Sequence, residues 1–200
     1  MQPITGTSLT EIFNSEKEGI VIPERDFVLV GKERHDVGRP NDQGYPVRGL
    51  LKDGYLYLRN FKPERWPKAN PETGYLNCDG SPTKTYILDT RRKKGVMEYW
   101  QLNFGKRVAE ELYNIEEDPF CMKNLAEDET LAELKAKMTE EMKQKLTEQG
   151  DPRILGKGDI FDNYPYSGAV KNYYNRYTSG EKVPAGWVNE TDYDFDLMEE

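Results

Sequence analysis

Tyr45-Pro46-Val47-Arg48-Gly49-Leu50-Leu51-Lys52-Asp53-Gly54-Tyr55-Leu56-Tyr57-Leu58-Arg59-Asn60 is the stretch that decides the fold. Two runs rich in aliphatic and aromatic residues flank an Asp-Gly pair. Asp and Gly tolerate the positive φ of a two-residue hairpin turn, so the spacing predicts antiparallel strands over 45–52 and 55–60. A lone hairpin is marginal in water and needs further strands or a helix against its apolar face.

The neighbours supply both. Phe27-Val28-Leu29-Val30 is a nearly continuous apolar run, which predicts a strand buried on both faces. Glu111 to Ile115 predicts another strand. Between Asp128 and Gln149, Leu131, Leu134, Met138, Met142 and Leu146 fall on one helical stripe. Asp128 is placed to cap that helix, Gly150 to end it and Pro152 to prevent continuation. The expected fold class is α+β: a small antiparallel sheet of about four strands packed by one long helix, with irregular extensions.

Shorter helices are predicted over Ser8–Ser15, capped by Thr7 or Ser8, over Ser81–Lys93, with Ser81 as cap and Pro82 at the first position, and over Val96–Phe104. The expected division is 1–150 as the folded subdomain and 151–200 as an irregular wrapping tail, whose acidic end, Asp192–Glu200, is expected to fray.

Composition narrows the function classes. The 200 residues are only 36% hydrophobic but 12% aromatic, with 13 Tyr. That favours a shallow core and polar-aromatic surfaces suited to another domain or to sugars. A net charge of −8 argues against nucleic acid, which needs a basic footprint, and against anionic membranes. No apolar run is long enough to span a bilayer, and the first residues do not read as a signal peptide, which is expected of either a cytoplasmic protein or a missing N-terminus. Cys78 and Cys121 lack metal-type spacing and are expected as free buried thiols.

Chemistry concentrates in Gly31–Arg48, which follows the first strand and carries the chain's one histidine. Loops at strand ends are where scaffolds place ligand-contacting groups. His35, Arg39 and Arg48 are the candidate substrate-binding residues, because Arg clamps sulfate or carboxylate bidentately and His donates to the same anion or to a sugar hydroxyl. A hydrogen-bonded polar loop, with Asp36 paired to an arginine, is the alternative. No nucleophile system is visible, so no catalytic residue is assigned. Asp159, Asp162 and Asn163 lack calcium-loop spacing, so no metal is assigned either. Trp66 and Trp100 are expected to be buried rather than to stack on sugar.

Glu111-Leu112-Tyr113-Asn114-Ile115-Glu116-Glu117-Asp118-Pro119, closed by Asn124-Leu125-Ala126, resembles the ELYDLxxDPxExxNLA signature near the C-terminus of formylglycine-dependent sulfatases. Pro3–Leu9 is similar to their GxSLxPLL element. Phe27–Arg48 resembles the strand and rim loop of the heparan N-sulfatase (sulfamidase)-like branch, and Leu56–Asn60 resembles the KYxYIxN strand.

This resemblance implies the C-terminal subdomain of an alkaline-phosphatase-like enzyme. The formylglycine, made from Cys or Ser in a C/S-x-P-x-R motif, and the calcium ion are then expected in a missing N-terminal domain. Neither motif occurs in this chain, so the chain alone is expected to be inactive. The implied partners are that domain and a sulfated saccharide, a sulfate ester or an N-sulfated amino sugar of glycosaminoglycan type. The implied location of the intact enzyme is periplasmic or secreted. Two other readings are a standalone carbohydrate-binding or interaction module and a carboxylate-based enzyme. An exposed apolar patch along Leu9, Ile12, Phe13 and the Phe27 strand would favour the docked subdomain over an independent module.

Overall fold

The computed structural model describes residues 4–195. Its centre is an antiparallel sheet of β1 (Phe27–Lys32), β2 (Val47–Lys52), β3 (Tyr55–Asn60) and β4 (Glu110–Asn114), hydrogen-bonded in that order. Asp53 and Gly54 make the β2–β3 turn with φ of 49° and 74°, the two left-handed positions that match strand twist. The register sets Leu29 against Leu50, Leu50 against Tyr57, and Tyr57 against Leu112. Those four form one row across one face of the sheet.

Several helices surround the sheet: α1 (Thr10–Phe13), α2 (Pro82–Lys94), α3 (Glu98–Asn103), α4 (Ala132–Glu148), α5 (Ile160–Asn163) and α6 (Tyr173–Thr178). The predicted stripe on α4 lies on the Leu29–Leu112 row. Met138, Met142 and Leu146 are buried there with Leu50, Tyr57 and Leu112, while Leu131 and Leu134 pack at the margin. Burial of each such side chain is worth about 1.5–3 kcal/mol. Asp128 caps as expected, its Oδ1 accepting from the Thr130 N–H at 2.9 Å. The first turn, Glu129–Leu131, is 3-10, and the α-helix starts at Ala132.

The other face of the sheet corrects the expectation for β1. β1 is an edge strand, and Val28 and Val30 are 52% and 39% exposed. An apolar run signals burial only when something covers both faces, and α4 covers one. Val28, Leu51 and Leu56 pair across this second face, as do Val30, Gly49 and Leu58. Gly49 is required there: a Cβ would meet Leu58 Cδ2 at 2.6 Å and Val30 Cγ2 at 2.9 Å. α1 is shorter than predicted, has Leu9 rather than Thr7 or Ser8 at its N-cap, and buries nothing.

The remainder forms two small aromatic cores. Ser81 caps α2 through the Lys84 N–H, and Gly95 ends it in the left-handed region. α2 and α3 close over Tyr75, Leu88, Trp100 and Phe104. Trp100 is buried, its Nε1 donating to the Tyr75 hydroxyl at 2.9 Å, and Trp66 is half-buried edge-on against it. Tyr173 of α6 joins Val37, Ala69 and Leu76 in the other core. Both cysteines are free and half-buried rather than buried.

The acidic end of the chain is also corrected. Asp192 and Asp194 are buried, the first paired with Lys84 at 3.1 Å and the second with Arg91. An acidic run frays only when no cations await it, and α2 supplies them. The rest of that run, 196–200, lies outside the described residues.

Candidate functional site

The Glu111–Ala126 signature explains itself as a device that seals β4. Leu112 faces the core, while Glu111 and Tyr113 face the opposite way and are also buried. The Glu111 carboxylate accepts from Asn60 Nδ2 at 2.6 Å, from Arg107 and from the Tyr113 hydroxyl. Burial pushes this carboxyl up, but Arg107, Tyr113 and Asn60 outweigh it and hold it below its ordinary value. Asn124 covers the free edge of β4. Its Oδ1 accepts from the N–H groups of Leu112 at 2.9 Å and Ala126 at 3.0 Å, and its Nδ2 donates to the Glu110 carbonyl. The Leu125 N–H then pairs with the Leu112 carbonyl at 2.8 Å. An unpaired edge is thereby closed without another strand.

The loop from Glu33 to Pro46 leaves β1 and returns to β2. Its three predicted binding residues fare differently. His35 is exposed and makes no hydrogen bond among the described residues. Arg39 is 1% exposed, and its guanidinium donates to the carbonyls of Trp66 at 2.6 Å and Pro67 at 2.9 Å. Arg48 is held by Asp151 at 2.5 Å and Glu33 at 2.7 Å and also donates to the Lys32 and Val47 carbonyls. The two arginines are thus held by different partners, and His35 by none among the described residues. The donors of both arginines are committed to the protein itself. Asp36 accepts from the Val37 N–H rather than pairing with an arginine.

Residues 151–195 pin this loop from outside. Asp162 accepts from the Gly44 N–H at 3.0 Å and pairs with Arg65 at 2.8 Å. Asp42 accepts from the Asn172 N–H, and Asn41 and Asn175 exchange two hydrogen bonds. Arg153 shares Glu33 with Arg48. Burial pushes the Asp151 and Asp162 carboxyls up, yet Arg48 and Arg65 respectively bring both below their ordinary value.

At the end of β1 lies a cation that the sequence reading did not single out, Lys32. The Lys32 ammonium lies 5.5 Å from the centroid of the Tyr45 ring, and the Arg39 guanidinium lies 5.8 Å from the same ring. Lys32 is solvent-reachable and has no ion pair among the described residues. Burial pushes its ammonium down to about 8, with Lys68 and Arg39 adding to the effect. Burial likewise lowers Arg39 to about 10, with Arg65 next. Lys106 lies 5.0 Å from the Trp66 ring centroid. Cation-over-aromatic placement at this range is attractive. The signal was the adjacency of Lys32 to a strand end, which a search centred on His and Arg passes over.

Among the described residues no group of three or more His, Cys, Asp or Glu is placed to hold a metal. No helix among the described residues is long and apolar enough to cross a membrane.

No protein-family model matches the chain. A stretch of 111 residues, 56% of this chain, is 28% identical to the ulvan-active sulfatase of Formosa agariphila and spans 19% of that protein's length. The likeness is weak. It supports a relation to sulfatases at most, and it carries nothing toward the heparan N-sulfatase-like branch.

Proposed function

We propose that this chain is the C-terminal substrate-rim part of a sulfatase that hydrolyses sulfate esters or N-sulfated amino sugars, and that it is inactive alone. The observation that supports this most is the second face of the sheet. Val28 and Val30 are exposed on it beside Leu51, Leu56 and Leu58. Leu9, Ile12 and Phe13 are exposed in the preceding segment, at 48%, 36% and 78%. A groove of about 540 Å³ beside Val28 and Leu51 is lined by Ile20, Pro23 and Phe27 and also by the charged Arg25, Asp26, Lys52 and Asp53. Apolar surface of this kind marks a docking face, and the sulfatase likeness covers a fifth of a longer protein. With that face covered by a catalytic domain, the loop carrying His35 and Arg39 would rim the reaction pocket.

The test is reconstitution. The chain is assayed for release of sulfate from a sulfated saccharide, alone and co-expressed with any adjacent reading frame bearing a C/S-x-P-x-R motif. The expected outcome is no release alone, and co-purification with activity that a Val28→Lys, Val30→Lys double variant abolishes. Release by the chain alone, lost in His35→Ala, would overturn the proposal.

One observation favours a second reading, a saccharide-binding module. A cleft of about 730 Å³ is lined by Tyr177, Val183, Pro184 and Phe195, with Glu72 and Lys182 among its polar groups. Aromatic faces flanked by polar groups suit sugar rings. Saccharide binding lost on Tyr177→Ala, without assembly with another domain, would select it.

A further inference from the structure

The outer side of β1 is open. The Phe61 N–H donates to the Pro46 carbonyl at 3.1 Å, so Pro46, Arg48, Leu50 and Lys52 turn their backbone groups toward β3. Backbone groups alternate sides along a strand, which leaves Val47, Gly49 and Leu51 facing β1. Their register partners Lys32, Val30 and Val28 therefore use their backbone groups on β2. Phe27, Leu29 and Gly31 turn theirs outward, where no backbone group of the described residues meets them. A groove of about 360 Å³ follows that side, lined by Leu29 to Glu33, by Arg48, and by Leu146 and Gln149 from the end of α4.

Exposed edges are commonly guarded by a charge, a proline or a bulge. β1 has none of these between Phe27 and Gly31. Its charges stand at its two ends with opposite sign, Asp26 just before it and Lys32 as its last residue. Such a strand is complementary to itself when turned antiparallel. Edge bonds form only in registers that set outward-turned residues opposite each other. The register centred on Leu29 does this and also matches the side chains. It bonds Leu29 to Leu29 and Phe27 to Gly31, a ring beside a glycine that leaves it room. It sets Val28 against Val30 as the closer, non-bonded pair, and Asp26 against Lys32 at both ends. Centring on Val28 instead sets Asp26 against Val30, and centring on Val30 sets Lys32 against Val28.

The surroundings admit this pairing. Asp26 is half-exposed and shares the Lys52 ammonium, 2.9 Å away, with Glu141. Lys145 is the next cation at that end, 5.1 Å from the Phe27 ring centroid. Lys32 is exposed and forms no ion pair among the described residues, and Glu33 beside it is held by Arg48 and Arg153. α4 packs on β2 and β3. Two copies joined at β1 thus keep their long helices roughly 15–20 Å apart, clear of contact.

We propose that a second copy of this chain pairs with β1 edge to edge, antiparallel about Leu29, so that two four-stranded sheets become one across an isologous two-fold contact. The contact goes beyond the catalytic-domain reading and does not depend on it, because the second face of the sheet stays open in both copies. A strand edge buries little area, so the dimer is weak and exchanges with monomer.

The experiment is sedimentation velocity of the full chain from about 1 µM to about 1 mM, with hydrogen exchange at both limits. A reversible dimer is expected within that range. The amides of Phe27, Leu29 and Gly31 should gain protection on dimerisation, while those of Val28 and Val30, already bonded to β2, should not change. Lys32→Glu sets like charges opposite each other at both ends and should weaken the dimer at least about tenfold, with the unfolding midpoint unchanged. Asp26→Lys combined with Lys32→Glu makes the pairs opposite again and should recover the affinity to within about threefold. A monomer at every concentration leaves the edge to a strand of some other protein and overturns the proposal. A dimer without new protection at Phe27, Leu29 and Gly31 overturns it, as does a double variant that fails to recover.

Discussion

Asn124→Ala tests whether the Glu111–Ala126 signature is there to close a sheet edge. The substitution removes the acceptor for the Leu112 N–H at 2.9 Å and the Ala126 N–H at 3.0 Å, and the donor to the Glu110 carbonyl at 3.2 Å. Leu112 is fully buried, so its N–H is the expensive loss, about 1–3 kcal/mol for a buried donor left unpaired. Asn124 itself is exposed, and water entering the vacated space recovers part of the other two bonds. The net expectation is a loss of about 2 kcal/mol, which for a chain of this size is a fall in Tm of about 4–8 °C.

Asn124→Asp separates the components. It keeps an acceptor for both N–H groups but loses the donor and sets a carboxylate against the Glu110 carbonyl, so it should cost about half as much. Urea unfolding gives the free energies, and hydrogen exchange at the Leu112 amide reports the edge directly. A loss below about 0.5 kcal/mol for the Ala variant, with Leu112 protection unchanged, would refute the reasoning and leave the signature without a structural account.

Two further outcomes follow from the buried charges. Asp151, Asp162 and Glu111 all have carboxyls held below their ordinary values in the folded chain. The unfolded chain therefore binds more protons than the folded one as pH drops below the ordinary carboxylate range, about 4. The stability these groups supply is present at neutral pH and is lost as pH falls through their lowered values. Acid titration should show this loss, and Asp162→Asn should flatten it; an unchanged slope would contradict the pairing with Arg65. At the other end of the fold, Lys84 and Asp192 are 2% and 0% exposed and 3.1 Å apart. Lys84→Met strands a buried carboxylate and should cost about 3–5 kcal/mol, whereas adding Asp192→Asn should restore part of it. Additive losses in that double-mutant cycle would show that the two groups do not interact.

What was legible in the sequence was what short-range chemistry controls. Asp53-Gly54 located the hairpin because two adjacent positive-φ residues have few other uses. The Met138–Met142–Leu146 stripe located α4 because helical spacing leaves a continuous face. Ser81-Pro82 marked the start of α2 for the same local reason. The edge position of β1 was not legible, since Val28 and Val30 read alike whether a second layer covers them or not. The candidate site was harder still. Arg48 pairs with a residue 103 positions away, and Arg65 with one 97 away. No local pattern distinguishes an arginine that will be captured by such a partner from one left free for a ligand. Lys32 drew no notice because its significance lies in what fails to pair with it.

The pinning of the rim loop by residues 151–195 has a consequence for synthesis. Asn41 waits for Asn175, 134 residues later, before its hydrogen bonds can form. At translation rates of about 5–20 residues per second, that interval is on the order of ten seconds. The hairpin over 47–60 needs no such wait, because its turn is local. The nascent chain therefore carries an assembled hairpin and an unfastened loop side by side until residues 151–175 leave the ribosome. In that interval Arg65 lacks Asp162. A chaperone has its best opportunity to engage the sheet during those seconds, before residues 151–175 fasten the loop.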